Sequence, residues 1–303
     1  MKYLLIHDIH NKVKIADQIT ELNKGNYDKV IYGGDYFDSF HDNEHMARET
    51  AIWLKEKLAD KNNIMCLANH DQAYLWKHNA YMSCSGFCGR KAKAIYEILT
   101  KEELLQLKLF YRLDNILFAH AGVSKLLLDY MVKKGYSDEF NYDIDTIESK
   151  LQEWATKANE CASVNYTHPI YEAGYERGGT QSTGGLTWCG FGEYEPIKGI
   201  VGIFGHSPVF PNHFGIKLCN EKTKYAQISY PEKESRNLDH LYSYGFGINL
   251  DSHLEGYAIY DDFTKIIDIY ALSFNVSHNV DQYGRKIIKS EKIWSKDLSI
   301  VKP

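Results

Sequence analysis

The stretch Ile64-Met65-Cys66-Leu67-Ala68-Asn69-His70-Asp71 decides how the chain is read. Five apolar residues predict a buried strand, and such a strand ends oddly in an amide and an imidazole, since both side chains need polar partners and neither adds much to a core. The same ending recurs. Tyr3 to Ile6 runs into His7-Asp8-Ile9-His10, Val30 to Tyr32 into Gly33-Gly34-Asp35, Ile116 to Ala119 into His120-Ala121-Gly122, and Ile200 to Phe204 into Gly205-His206-Ser207. Strands that each deliver Asp, Asn or His at the carboxyl end describe one site, because ligands of α/β sheets collect outside those ends.

The order of elements supports that class. A strand in residues 1 to 10, a helical stripe at Val13, Ala16, Ile19 and Leu22, and a strand over Tyr27 to Tyr32 make a βαβ unit. His45 to Ala59 continues it as a helix with Met46, Ile52, Trp53 and Leu54 turned inward, and Ala73 to Leu99 is helical with a polar break at Ser83 to Gly89. Thr100 and Glu103 form a capping box, and Leu109 to Leu113 with Ile116 to Ala119 make a hairpin that delivers His120. Helices over 124–134 and 143–158 precede Gly174 to Gly192, a glycine-rich loop expected to form a mobile rim over the site. Short strands at Gly247 to Leu250, Tyr257 to Tyr260 and Ile266 to Tyr270 complete a second, mostly antiparallel sheet. The expected organisation is one domain over 1–275, with a rim insertion at about 124–195, and a polar tail over 276–303.

Composition narrows the function. The 303 residues are 44% hydrophobic and 25% charged, as in a folded globular protein, and the formal charge of −5 supplies no field to hold an extended nucleic acid. No apolar run approaches the ~18 residues of a membrane span. Asp8 interrupts the amino terminus before a signal-peptide core can form. The six cysteines show no paired framework, and Cys84 and Cys88 lack a second pair to complete a zinc site, so a reducing cytoplasmic setting is expected.

Asp8 and His10 lie two apart on an extended segment and point the same way, which suits one cation. Asp35 follows two glycines that let the backbone approach an ion closely, and its two oxygens can bridge metals ~3.5 to 4 Å apart. Asn69, His120 and His206 are borderline donors that suit Mn²⁺, Fe or Zn²⁺ better than Ca²⁺.

As a set, Asp8-Ile9-His10, Gly34-Asp35-Tyr36-Phe37-Asp38, Ala68-Asn69-His70-Asp71, His120-Ala121-Gly122 and Gly205-His206 resemble the motifs of the calcineurin-like metallophosphoesterases, in order and spacing, over roughly residues 1 to 260. Phe118 to Ser124, Leu186-Thr187-Trp188 and Gly205-His206-Ser207-Pro208, with Ile248 to Ser252, are most similar to the phosphoprotein phosphatase and bacterial diadenosine tetraphosphatase branch.

That resemblance implies an αββα sandwich of two mixed sheets flanked by helices. It also implies two divalent transition metals, manganese first, with Asp8 and His10 on one, Asn69, His120 and His206 on the other, and Asp35 shared. A metal-activated hydroxide attacks phosphorus, His70 protonates the leaving oxygen, and Asp38 orients His70. The family's phosphate-clamping Arg is replaced by Ser39, which leaves Arg90 and Arg177 as candidates for that charge. Expected substrates are phosphomonoesters on a small molecule, nucleotide or phosphoprotein. A dinucleoside polyphosphate is the alternative, with tyrosines at 166–175 or 242–246 stacking a base; a non-catalytic phosphate-binding module stands third.

Overall fold

The first strand already has two cores to fill. β1 (Lys2–Ile6) buries Tyr3 and Leu5 on one face and Leu4 and Ile6 on the other, because side chains alternate across a strand. The computed structural model describes residues 1–39, 41–209, 213–219, 227–229, 242, 244–275 and 285–301.

β1 pairs in parallel with β2 (Lys29–Tyr32), and β2 with β3 (Asn63–Met65). On its other edge β1 pairs antiparallel with β10 (Gly256–Asp261), followed by β11 (Ile266–Phe274) and β12 (Ile287–Asp297). The sheet therefore has the order β12-β11-β10-β1-β2-β3.

The second sheet contains β4 (Tyr111–Leu113), β5 (Ile116–Phe118), β6 (Val201–Phe204), β7 (Gly215–Leu218), β8 (Gln227–Ser229) and β9 (Phe246–Asn249), in the order β4-β5-β6-β9-β7-β8. Its middle strands β5, β6 and β9 are parallel. The two mixed sheets and their helices make the α/β sandwich that the family resemblance implied.

Leu5, Ile31 and Ile64 of the first sheet share one apolar cluster with Ile116, Phe118, Ile203 and Ile248 of the second, which is the layer between the sheets. The opposite face of the first sheet, with Leu4, Ile6, Tyr32 and Met65, belongs to the cluster that includes α1 (Val13–Leu22) and α2 (Glu44–Ala59). Asn43 caps α2, accepting the N–H groups of His45 at 3.0 Å and Met46 at 3.1 Å. Leu22 and Ile52, expected inside, are exposed; Ile15 and Ala51 take those places.

The remaining helices are α3 (Asn69–Leu75), α4 (Gly89–Tyr96), α5 (Lys101–Leu104), α6 (Lys125–Lys133) and α7 (Ile144–Ser163). Over the outer face of the second sheet lies Tyr194, against two glycines: a Cβ at Gly202 would sit 2.0 Å from its hydroxyl, and one at Gly247 2.3 Å from its ring.

The structure differs from expectation in how strands are shared between the sheets: Tyr257 to Tyr260 and Ile266 to Tyr270, expected beside Gly247 to Leu250 in the second sheet, form β10 and β11 of the first, because β10 pairs antiparallel with β1 and β11 with β10. The second half of the glycine-rich segment is packed, with Leu186, Thr187 and Cys189 buried and Leu186 O accepting Ala121 N–H at 2.9 Å, while Tyr175, Glu176 and Thr180 of its first half are exposed. The segment read as a polar tail supplies β12, an edge strand of which Trp294 alone is buried; its residues 276–284 and 302–303 lie outside the described part, as do Phe40 and position 243.

Candidate metal and catalytic site

The carboxyl ends of β1, β2, β3, β5 and β6 converge, and each turns sharply on leaving its sheet. Asp8, His10, Asp35, Asp38 and His206 all take left-handed backbone conformations, with φ between 44° and 68°. Such geometry costs a non-glycine residue roughly 1 kcal/mol or more and persists where surrounding structure enforces it. It aims side chains sideways into the space between the strand ends.

One enforcing residue is Asp71 on α3. Its Oδ2 accepts the N–H of Asp35 at 2.9 Å and of Ala68 at 3.1 Å, and its Oδ1 accepts that of Tyr36 at 2.9 Å, which ties the β2 and β3 loops together. Close approach does the rest. Gly34 has φ +96°, and a Cβ there would meet Ala68 Cβ at 2.6 Å, while a Cβ at Gly205 would lie 2.0 Å from Asp8 Oδ2.

At the centre, Asp35 Oδ2 lies 3.4 Å from His10 Nε2 and 3.4 Å from His120 Nε2. Both rings are held from behind by carbonyl oxygens: His10 Nδ1 is 2.7 Å from Asp38 O, and His120 Nδ1 is 2.9 Å from Gly33 O. This arrangement fixes the tautomer and leaves each Nε2 with a lone pair facing inward, as ligating histidines require. His206 Nδ1 lies 3.2 Å from His120 Nε2.

Among the described residues, His10, Asp35 and His70 form one group of possible ligand atoms within 4.8 Å, and Asp35, His120 and His206 a second. Asp35 belongs to both. Asp8 lies outside these two groups; its Oδ1 accepts the His206 N–H at 3.0 Å, and its buried Oδ2 has no hydrogen-bond partner.

Three observations test whether cations fit. Asn69 Oδ1 faces only acceptors, with His120 Nε2 at 3.0 Å and Asp35 Oδ1 and His206 Nδ1 at 3.2 Å, while its Nδ2 donates to Cys84 Sγ at 3.3 Å. A cation turns that crowd of lone pairs into a ligand set, whereas without one the amide would flip. Burial raises the pKa of Asp8 and Asp35 well above the carboxylate range; repulsion from Asp251 adds to it at Asp8, and from Asp8, Asp71 and Asp251 at Asp35, and the pull of Lys12 and Arg177 on Asp8 does not offset it. Burial also keeps His10, His120 and His206 neutral, the form that binds metal. The residues fit a pair of divalent ions.

His70, a member of the first of those groups, has its Nδ1 3.1 Å from Asp38 Oδ2. Burial raises the Asp38 pKa, but contacts from His70, Lys91 and Tyr74 outweigh it and hold the carboxyl below its ordinary range. Cys84 Sγ flanks the ring at 3.5 Å from Nδ1.

Of the two arginines, Arg177 reaches the site, with Nη2 donating to His206 O at 2.9 Å and Ser207 Oγ at 2.7 Å. Arg90 does not: it is exposed and contacts the Cys88 side chain. The buried cation on that side is its neighbour Lys91.

The family model for calcineurin-like phosphoesterase matches residues 1–210. The chain belongs to that family. It is therefore a calcineurin-like phosphoesterase, a metal-dependent phosphoester hydrolase of a dimetal-dependent family.

Comparison with curated proteins finds no match. Among solved structures this phosphoesterase is similar to a metallophosphoesterase from Sphaerobacter thermophilus, with 14% identity over 86% of this chain and 83% of that one and a TM-score of 0.41. A candidate diadenosine tetraphosphatase is 15% identical over 97% of this chain and 94% of its own, with a TM-score of 0.38. A conserved uncharacterized protein from Streptococcus pneumoniae TIGR4 is 9% identical over 97% of both chains, with a TM-score of 0.29.

No helix among the described residues of this phosphoesterase is long and apolar enough to cross a membrane. Sequence reasoning missed Asp71, Lys91 and Cys84 as parts of the site. Asp71 stood inside a motif that was already recognised; the other two carried no distinguishing pattern.

Proposed function

We propose that the protein hydrolyses phosphomonoesters, with Asp8, His10 and Asp35 holding one divalent ion and Asn69, His120, His206 and the same Asp35 holding a second. The observation that carries this reading is the position of Asp35 Oδ2, 3.4 Å from histidine nitrogens of both halves. Manganese is the metal we assign, because a mixed set of carboxylate, amide and imidazole suits it. Six free thiols fit a reducing, cytoplasmic setting.

When bound, the ions supply a nucleophile at neutral pH and stabilise charge on the phosphoryl oxygens. The chain does the rest. His70, with Nδ1 on Asp38, presents Nε2 as the proton donor to the leaving oxygen. Arg177, anchored on His206 O and Ser207 Oγ, offers the remainder of its guanidinium to a phosphate oxygen.

A second reading, a dinucleoside polyphosphate as substrate, draws on Tyr175, which is 66% exposed two positions before Arg177 and offers a ring for a base to stack on. A turnover panel with Mn²⁺, comparing aryl phosphate, a phosphopeptide and diadenosine tetraphosphate, separates the two. Preference for the monoesters supports the first reading, preference for the dinucleotide the second, and silence across the panel overturns both.

A further inference from the structure

Lys91 lies on α4 and is only 5% exposed, yet it carries an ammonium group. Burying such a charge is costly unless it is closely paired. Its Nζ lies 2.5 Å from Asp38 Oδ1 and 2.9 Å from Asp42 Oδ2. The Tyr74 hydroxyl donates to the same Asp38 Oδ1 at 2.6 Å, so that oxygen receives two donors while Oδ2 is left to His70 at 3.1 Å.

The far side of the lysine is fixed as well. Asp42 Oδ2 accepts from Asn11 Nδ2 at 3.1 Å, and Asn11 Oδ1 accepts from Thr50 of α2 at 2.9 Å. The chain of contacts runs from α2 through the β1 and β2 loops to α4, and Asp38 is its last member before His70. Asp38 itself has φ +63°, a conformation that needs such support.

We propose that Lys91 is a positioning residue for phosphoester cleavage: together with Tyr74 it holds Asp38 Oδ1 and thereby turns Oδ2 toward His70, setting the imidazole at the leaving oxygen. From α4 it places a fixed cation beside Asp38 of the β2 loop, where Ser39 follows that Asp in the sequence. This rests on the reading of His70 as proton donor to the leaving group.

The test exploits the dependence of that proton transfer on the leaving group. In the Mn²⁺-loaded protein, Lys91→Met lowers kcat by about tenfold or more on phenyl phosphate, whose leaving oxygen needs the proton, and by about twofold or less on p-nitrophenyl phosphate, whose leaving oxygen does not. Lys91→Arg restores most of the loss, and metal content is the same in all forms. Tyr74→Phe, which removes the other donor to Oδ1 without leaving a buried charge unpaired, shows the same split and decides the matter if Lys91→Met does not fold. His70→Asn is measured alongside. If His70→Asn splits the substrates but the Lys91 and Tyr74 variants lose equally on both or not at all, the positioning role is wrong and the acid assignment stands. If His70→Asn shows no split either, the acid assignment itself is wrong, and the role of Lys91 falls with it.

Discussion

Asp71 accepts the backbone N–H of Asp35 at 2.9 Å, across 36 positions of sequence, and with its other oxygen that of Tyr36. Asp35, the carboxylate proposed to be shared between two ions, is thus placed by the carboxylate of Asp71. Asp71→Asn turns one acceptor into a donor facing a buried N–H, at a cost of about 1 to 3 kcal/mol. A urea midpoint lowered by that amount, with weakened metal binding, is expected; an unchanged midpoint would show that Asp71 does not hold the loop.

Cys84 Sγ accepts Asn69 Nδ2 at 3.3 Å, and in that orientation Oδ1 faces His120 and His206. Cys84→Ala removes that acceptor and should weaken one of the metals by roughly tenfold, the usual penalty for losing a group that orients a ligand. Cys84→Ser keeps an acceptor and should lie close to the parent. Calorimetric titration with Mn²⁺ reads the difference, and equal affinities for the Ala and Ser variants would remove Cys84 from this role.

His168 is expected to give a pH dependence away from the candidate metal site. It is buried, its Nδ1 accepts the Ile170 N–H at 3.4 Å, and its ring stands edge-on to Tyr136 at 5.1 Å. Burial lowers its pKa from 6.5 to about 4, with Lys157 contributing. The unfolded chain takes up a proton below pH 6.5 that the folded one refuses until about 4, so the stability is present above 6.5 and drains away as pH falls between those values. His168→Asn keeps an acceptor for Ile170 and removes the titration, so its stability should fall less steeply with acid than the parent's, by up to about 1.4 kcal/mol per pH unit. Parallel slopes for parent and variant in urea titrations across that window would contradict the assignment.

The strands that carry the candidate site were legible because each is a buried run that breaks off into a residue of ligand type, as at Phe118-Ala119-His120 and Phe204-Gly205-His206. β12 was not, since an edge strand with Lys289, Glu291 and Lys292 turned outward has no apolar alternation to show, and its partner β11 is fixed only in three dimensions. Arg90 was singled out and Lys91 passed over for a reason of helix geometry. Successive residues on a helix point about 100° apart, and α4 buries the face of Lys91, Ala92, Ala94 and Ile95, which turns Arg90 to solvent. Asp71 and Cys84 act through backbone groups and an amide that only the folded loops bring to them.

The measurement that bears most directly on the account is the metal content of Asp35→Asn. With one carboxylate shared between both positions, the parent loaded with Mn²⁺ and passed through a desalting column retains about two ions per chain, and the variant loses both together, with the spin-coupled signal of a neighbouring pair absent from its electron paramagnetic resonance spectrum. A variant that keeps one tightly held ion, or a fully active parent that holds none, would contradict it.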